Sequence, residues 1–314
     1  LSNNLKLFED FEAALNPSEF GQLSAYIRSV EKINSPFPQW STMRQQYRSK
    51  ILKRPVASEG IGVGEVLLSD KIRFLRTSSE LNALPDRAFQ DKTVIRKISK
   101  GQELLSKNFK SRMAILITAR MQSSRLPGKA LLEFNGQPAL EILIKNLKNV
   151  CNVDDIILCT TTADEDQTLV DLADRNCIKS FRGHSFNIAK RLHDACIEHE
   201  VDSFIRVTAD DLLRDIDLIQ SAVESHINNN SDYTYFTGCM LGLDSEVISF
   251  RAIKLILDRA EDVDSSEYLS WYLDDESLFN VNCIVANSKY DGPYQFSLDT
   301  QEDLALFTKI YEKF

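Results

Sequence analysis

The stretch Ala114 to Leu131, AILITARMQSSRLPGKAL, constrains the fold of this chain more than any other. A short apolar run, Ile115 to Thr118, reads as a buried strand. It empties into a loop carrying Arg120, Ser123, Ser124, Arg125 and Lys129. Three cations and two hydroxyls at the end of a buried strand suit a highly anionic ligand. In open α/β sheets, ligands bind beyond the carboxyl ends of strands, where loop amides and helix N-termini favour phosphate. A helix over Pro138 to Asn149, entered through Asn135-Gly136, is expected to follow. The loop is not a Walker P-loop. It has one glycine where that motif needs two, and Ala130 follows Lys129 where that motif places Ser or Thr. A solvated basic turn is the plain alternative, but these cations follow a strand end and not a helix face.

R-M-Q-S-S-R-L-P-G-K at 120–129 resembles the nucleotide-binding signature of bacterial cytidylyltransferases that activate acidic sugars. The spore-coat polysaccharide cytidylyltransferases and the enzymes that make CMP-Kdo look most alike, with CMP-sialic acid synthetases more distant. The similarity runs from about Met113 to the last residue. It implies an α/β, nucleotide-diphospho-sugar transferase-like (Rossmann-like) three-layer domain that takes CTP as substrate. In those families the Arg, Ser and Lys of this motif hold the triphosphate, which gives that role to Arg120, Ser123, Ser124, Arg125 and Lys129.

Further positions carry the same resemblance. Asp155 to Thr160 reads as a second buried strand, ending in Thr160-Thr161-Thr162 before an acidic helix start at Asp164-Glu165-Asp166. The family places a Ser or Thr beside cytosine in this loop, so Thr161 is the candidate for base recognition, while Thr162 could equally cap a helix. Phe181-Arg182-Gly183 and Arg191 resemble the loop and helix that close over ribose and base, although Asn187 replaces the family's aspartate. A third strand, Phe204 to Thr208, ends at Ala209-Asp210-Asp211. Against the family's Arg-x-Thr-Gly-Asp-Cys-Pro, Arg206, Thr208 and Asp210 match while Ala209, Asp211 and Leu212 do not. Ser297-Leu-Asp299-Thr300-Gln-Glu302-Asp303-Leu304 resembles Asp-Thr-Pro-Glu-Asp-Leu, whose first aspartate shares a metal with the strand-end aspartate. Mg²⁺ prefers a few carboxylates plus phosphate oxygens, so Asp210 and Asp299 are the candidate ligands. Asp299 or Thr300 could instead cap the last helix. Gly242-Leu-Asp244-Ser-Glu246-Val247 resembles the family's Gly-Leu-Asp-x-Glu-Val near the sugar, and Ser266-Glu267-Tyr268 stands where spore-coat enzymes show Arg-Glu-His.

The charge is split along the chain. Residues 1–112 carry 19 basic and 12 acidic side chains, whereas residues 113–314 carry 18 and 34. Such asymmetry marks a boundary. The 314 residues suit about two domains at ~100–200 residues each. The basic part lacks aromatic-interleaved basic patches, which argues against nucleic acid. No run approaches the ~18 apolar residues of a membrane span, and no signal peptide is evident. The six cysteines contain no C-x-x-C pair, which predicts reduced, buried thiols in a cytoplasmic protein. The four histidines show no H-E-x-x-H spacing, which argues against zinc.

Ahead of residue 113, three segments are expected. Leu1 to Ile33 reads as helix, with Asn16 as cap and Pro17 in the first turn, and Asn34 to Trp40 reads as linker. Ile51 to Leu105 reads as short strands and turns, with a partial repeat between Ile61-Gly-Val-Gly-Glu65-Val-Leu67 and Ile98-Ser-Lys-Gly101-Gln-Glu103-Leu104. The domain layout is thus a helical arm and linker over 1–50, a β-clip over 51–112 and a cytidylyltransferase domain over 113–314. Residues ~8–110 resemble the helical lead-in and C-terminal antifreeze-like domain of sialic acid synthases, carried by Leu15-Asn-Pro-Ser-Glu-Phe20 and Arg48-Ser49. The synthase barrel is absent from this chain, and Arg76-Thr-Ser-Ser-Glu80 replaces that domain's Arg-Pro-Gly-x-Gly loop. The arginine which that family lends to a partner's barrel is therefore not assigned between Arg54 and Arg76. With Leu1 and not Met at the start, the chain is expected to be part of a synthase–cytidylyltransferase fusion.

The resemblance implies nucleotidyl transfer: a sugar hydroxyl attacks the α-phosphate of CTP in line and pyrophosphate leaves. Mg²⁺ on Asp210 and Asp299 would lower the pKa of the attacking oxygen, and Arg120, Arg125 and Lys129 would stabilise the departing pyrophosphate. The expected acceptor is a nonulosonic, sialic-type acid. The expected partners are a homodimer mate and a synthase-type barrel in cis or trans. Two other readings stand beside this one. A non-catalytic nucleotide-binding module could complete a partner's barrel. A glycosyltransferase would share the fold, but its D-x-D spacing is missing because Asp210 and Asp211 are adjacent.

Overall fold

A computed structural model of the chain describes residues 17–34, 51, 53–77, 89, 92–123, 125–259 and 269–313. The chain divides into two units, one of residues 1–52 with 76–80 and one of residues 53–75 with 81–314. In the first unit, α1 (Pro17–Asn34) is the described element. It begins on the expected proline and takes in Asn34, which the sequence suggested would open the linker. The residues before it and the rest of that linker lie outside the described ones. Phe20, Leu23 and Ile27, at helical spacing, are exposed.

The second unit opens with a small β region. β1 (Lys53–Ala57) and β2 (Ile72–Arg76) pair in a two-stranded sheet. The internal repeat is visible in its geometry. Ile61 and Ile98 exchange both backbone hydrogen bonds, at 2.9 and 3.0 Å. Each repeat then makes the same turn: Glu65 Oε1 accepts from Gly62 N at 2.9 Å and Gln102 Oε1 accepts from Ser99 N at 2.9 Å. Gly64 and Gly101 occupy equivalent left-handed positions, with φ of 87° and 79°, which favour glycine. A 3₁₀ turn follows each repeat, Ser69–Lys71 and Ser106–Asn108. Leu67 and Leu104 fall at matching places in a shared core with Ile61, Ile98, Val94 and the stacked pair Phe89–Phe109.

From residue 113 the chain builds a three-layer α/β body. In order it comprises β3 (Met113–Thr118), β4 (Glu133–Phe134), β5 (Gln137–Pro138), α2 (Ala139–Leu147), β6 (Asp155–Thr161), α3 (Gln167–Arg175), β7 (Lys179–Gly183), α4 (Ile188–Glu198) and β8 (Ser203–Thr208). It continues with α5 (Ile216–Asn229), β9 (Tyr233–Thr237), β10 (Glu246–Ser249), α6 (Phe250–Arg259), α7 (Ser270–Leu273), β11 (Val281–Val285) and α8 (Gln301–Lys313). Seven strands form one sheet in the order β11-β9-β10-β8-β3-β6-β7, with β10 antiparallel to both neighbours and the other pairings parallel. β3 is apolar along its length because both faces are covered. Ile115 and Ile117 pack on one side with α2, α3, α5 and Phe307 of α8, while Ala114 and Leu116 pack on the other with α4 and α6.

The strand order reverses at β3. The chain steps from β3 to β6 and β7 on one side and returns to β8 on the other. The carboxyl end of β3 is therefore the topological switch point, where a ligand crevice forms in sheets of this kind.

Three local expectations are corrected. Asn135-Gly136 does not start a helix. With φ of 51° and 73° it is the positive-φ turn of a small hairpin that pairs Glu133 with Pro138 and Phe134 with Gln137, so α2 starts at Ala139 and ends at Leu147. Asp164–Asp166 is a 3₁₀ turn, and α3 begins only at Gln167. Cys159 and Cys196 are buried as expected, but Cys151, Cys177 and Cys283 are exposed and Cys239 is half-buried. Cys177 sits at a positive-φ turn after α3, and Cys283 lies on β11, a sheet edge.

Candidate active site

The loop after β3, the end of β8 and the segment leading into α8 meet at the switch point. Gly128, with φ of 69°, turns the chain so that its N–H donates to Met121 O at 3.1 Å and Lys129 enters a short 3₁₀ turn. Lys129 Nζ reaches Asp210 Oδ2 at 2.5 Å and Asp299 Oδ1 at 2.8 Å, and Arg125 reaches the same Asp299 oxygen at 3.0 Å. The structure thus gathers Arg125, Lys129, Asp210 and Asp299 from three separate parts of the chain. Burial alone would lower the Lys129 pKa, but Asp210 and Asp299 outweigh it and raise the ammonium above its ordinary value. Burial likewise pushes the Asp210 carboxyl up, and the adjacent Lys129 outweighs that and holds it below the usual range.

Asp299 is free for this role because it does not cap α8. Thr300 and Asp303 form a reciprocal capping pair: Thr300 N donates to Asp303 Oδ2 at 2.8 Å, and Asp303 N donates to Thr300 Oγ1 at 3.3 Å. Leu298 N donates to Asp210 O at 2.9 Å, fastening the two acidic segments together. Gly242 permits a second close approach, of its own turn to the Phe296 backbone. A Cβ there would lie 2.6 Å from Phe296 O, and its φ is +93°. Asp211, where the family pattern shows Cys, is buried. It pairs with Arg214, accepts from Thr208 Oγ1 at 2.7 Å and accepts from Ser297 Oγ. It braces the strand end and leaves Asp210 to face the loop lysine.

The two carboxylates also test the fit of a divalent cation. Asp210 Oδ1 is buried and finds no hydrogen-bond partner among the described residues, a costly state for a carboxylate oxygen. Among the described residues no three His, Cys, Asp or Glu side chains converge as a metal cage. Two hard carboxylates that leave coordination positions for phosphate suit Mg²⁺ better than an all-protein cage does. The residues therefore fit the cation.

On the β6–β7 side, Asp166 joins two loops. Its Oδ1 accepts from Met121 N at 2.7 Å. Its Oδ2 accepts from Thr160 Oγ1 at 3.0 Å, from Thr161 N at 3.1 Å and from Thr161 Oγ1. Burial opposes ionisation of Asp166, and these donors overcome it, so its pKa is lowered. The Thr161 hydroxyl also accepts from Ala163 N at 3.1 Å, so the side chain shapes the loop. Arg182 grips the same loop, donating to Thr161 O at 3.1 Å, Ala163 O at 2.7 Å and Gln167 Oε1 at 2.8 Å. Arg191 is buried, which lowers its pKa, and donates to His184 O at 2.9 Å and Ser185 O at 3.0 Å. Asn187 caps α4 by accepting from Lys190 N at 2.7 Å, which explains why an amide serves where the family shows an acid.

Arg206 lies apart from the lysine cluster, paired with Glu246 at 2.8 Å; Glu246 also accepts from Tyr233 OH. Asp244 carries a raised pKa, chiefly from burial, with Arg214 opposing and Glu246 and Asp211 adding. Arg120 is half-buried, and Ser123 Oγ accepts from Leu126 N at 3.4 Å. Ser124 and Ser266-Glu267-Tyr268 lie outside the described residues. Sequence reading missed Asp166 as a loop organiser, because an acid near a helix start already had a sufficient explanation in capping. The only signal pointing to it was its spacing from Thr161.

Comparison with known proteins bears on the family and the fold. A family model described as Cytidylyltransferase matches residues 114–313. An uncharacterized protein of Methanocaldococcus jannaschii is 32% identical over 202 residues, covering 63% of this chain and 83% of that one. The spore coat polysaccharide biosynthesis protein SpsF of Bacillus subtilis is 27% identical over 212 residues, covering 63% and 85%. Among solved structures, a cytidylyltransferase from Leptospira borgpetersenii superposes with a TM-score of 0.62 at 24% identity, covering 65% of this chain and 88% of that one. A CMP:2-keto-3-deoxy-manno-octonic acid synthetase complexed with CTP gives 0.51 at 15%, covering 65% and 99%. These structures share the α/β nucleotide-diphospho-sugar transferase-like fold, and with the family model spanning the whole sheet domain, this chain belongs to the cytidylyltransferase family.

Proposed function

We propose that the protein transfers CMP from CTP to a hydroxyl of an acidic sugar, releasing pyrophosphate. The observation that carries this reading is the convergence of Lys129, Arg125, Asp210 and Asp299 at the switch point of a cytidylyltransferase-family sheet. The name of one similar protein, a CMP:2-keto-3-deoxy-manno-octonic acid synthetase, supports the acidic-sugar acceptor, and that of another, a spore coat polysaccharide biosynthesis protein, supports a role in making a polysaccharide. Arg120, Arg125 and Lys129, with Ser123 and Ser124, would bind the triphosphate and offset the charge that develops on pyrophosphate. Thr161, Arg182 and Arg191 would shape the base and ribose side through the loops they hold, and Arg206, paired with Glu246, would join them in binding the nucleotide. Asp210 and Asp299 would hold Mg²⁺, which when bound neutralises phosphate charge and acidifies a coordinated hydroxyl.

The region 51–112 keeps its proposed antifreeze-like kinship, supported by the duplicated turns around Gly64 and Gly101. Its proposed partner is a sialic acid synthase-type barrel in cis or trans, with a homodimer as the assembly and the cytoplasm as the compartment. A screen of pyrophosphate release from CTP and Mg²⁺ against Kdo and a panel of nonulosonic acids tests the activity. Release that depends on one of these acids is expected. CTP binding with no release for any of them would favour a non-catalytic nucleotide-binding module.

A further inference from the structure

The lysine that would bind phosphate occupies the space between the two carboxylates that would bind the cation. Lys129 Nζ is within hydrogen-bond distance of both Asp210 Oδ2 and Asp299 Oδ1. Arg125 adds a second positive group on Asp299. Asp210 Oδ1 remains buried without a hydrogen-bond partner among the described residues. A divalent ion ligated by both acids would meet an ammonium already seated between them, and like charges at such separation repel strongly in a partly buried site.

The geometry points to a lysine-locked cation site: in the nucleotide-free protein Lys129 is the internal counter-ion of Asp210 and Asp299, and divalent cation enters only when nucleotide phosphate draws Lys129 away. This inference rests on the cytidylyltransferase reading of the same site. The lysine suits the exchange because its ammonium is a point charge on a flexible stem, whereas the acids are fixed by the capped start of α8 and by the brace at Asp211. Triphosphate supplies several anionic oxygens to replace the two carboxylate partners that the lysine gives up. Nucleotide and cation then promote each other's binding, and the coupling is reciprocal.

The test is Mn²⁺ binding, read by electron paramagnetic resonance of the free ion, with no nucleotide and no turnover involved. The parent protein should bind Mn²⁺ weakly. Lys129→Met should bind it at least tenfold more tightly, and Lys129→Met/Asp210→Asn should lose that gain. Circular dichroism establishes that each variant is folded, and Lys129→Gln gives the same comparison should the methionine variant unfold. On the parent itself, the side-chain ammonium resonance of Lys129 should be unmoved by Mg²⁺ alone and should shift when CTP is added. Equal Mn²⁺ affinity in parent and lysine variants, or a lysine resonance that Mg²⁺ shifts without CTP, overturns the lock. Failure of the functional reading would look different: no CTP-dependent pyrophosphate release by the parent, with the Mn²⁺ comparison still readable.

Discussion

At the scale of single residues, the site rests on a few side chains that each satisfy several partners. Asp166 is the clearest case. One carboxylate holds the backbone of the Arg120–Lys129 loop through Met121 and the Thr160–Thr161 strand end through three donors. Asp166→Ala should therefore cost about 1–3 kcal/mol of stability, since it leaves buried donors unmet. It should also weaken CTP binding measured by calorimetry, although no proposed ligand contact is removed. Unchanged affinity would mean that the two loops keep their positions independently. How legible the site was also divides by residue. Lys129, Asp210 and Asp299 stood out because each falls in a stretch that matches a motif of the family, Lys129 and Asp210 in the loop after a buried strand. Asp166 was hidden, and Asp299 and Thr300 stood as alternative caps of the last helix, because the sequence does not reveal which of several neighbouring oxygens takes a given N–H. Asp211 read as a departure from the family pattern, and only its buried pairing with Arg214 showed what it does.

At the scale of elements, turns and caps set where the functional groups point. Gly242 is required by both its φ and its contact with Phe296 O. Gly242→Ala should destabilise the protein by about 1–3 kcal/mol and loosen the Asp210–Leu298 backbone bond, measured as faster amide exchange at Leu298. Slow exchange in a fully stable variant would refute this account of the turn. Helix α5 carries a pH-dependent element. Its His226 is buried, with Nδ1 3.0 Å from Thr234 Oγ1, and burial pushes its pKa down to about 3 from an ordinary 6.5. The folded protein keeps this imidazole neutral while the unfolded chain protonates it below pH 6.5. Its contribution is thus complete above that pH and is lost as pH falls toward 3, by about 1.4 kcal/mol per unit for one proton. Urea unfolding should show a steeper loss between pH 6.5 and 5 in the parent than in His226→Gln; equal slopes would contradict the assignment. The three central strands β3, β6 and β8 were legible because continuous apolar runs between turn residues leave few alternatives, whereas Phe181-Arg182-Gly183, expected in a loop, ends strand β7. The Asn135-Gly136 hairpin was misread as a helix entry because one turn signal serves both, and the pairing of Glu133 with Pro138 is decided by the hairpin's packing.

At the scale of the whole second unit, the sheet uses its two ends for different work. The carboxyl ends carry the candidate active site. The amino ends carry an ion-pair network that joins the small β region to the sheet. Lys92 meets Asp202 at 2.5 Å, Arg112 N donates to Asp202 Oδ2 at 2.9 Å, and Arg112 and Lys179 both pair with Asp155. Asp202→Ala should lower stability by about 1–2 kcal/mol while leaving CTP affinity unchanged; a change in affinity would show that the two ends are coupled. The charge split along the sequence foreshadowed this junction, since Lys92 and Arg112 come from the basic part and their acidic partners from the other. The central claim, that the cluster at the switch point drives cytidylyl transfer, is tested most directly by pyrophosphate release from CTP in the presence of Mg²⁺ and an acidic sugar. The parent should release pyrophosphate and Asp210→Ala and Lys129→Ala should not; undiminished release by either variant would contradict the claim.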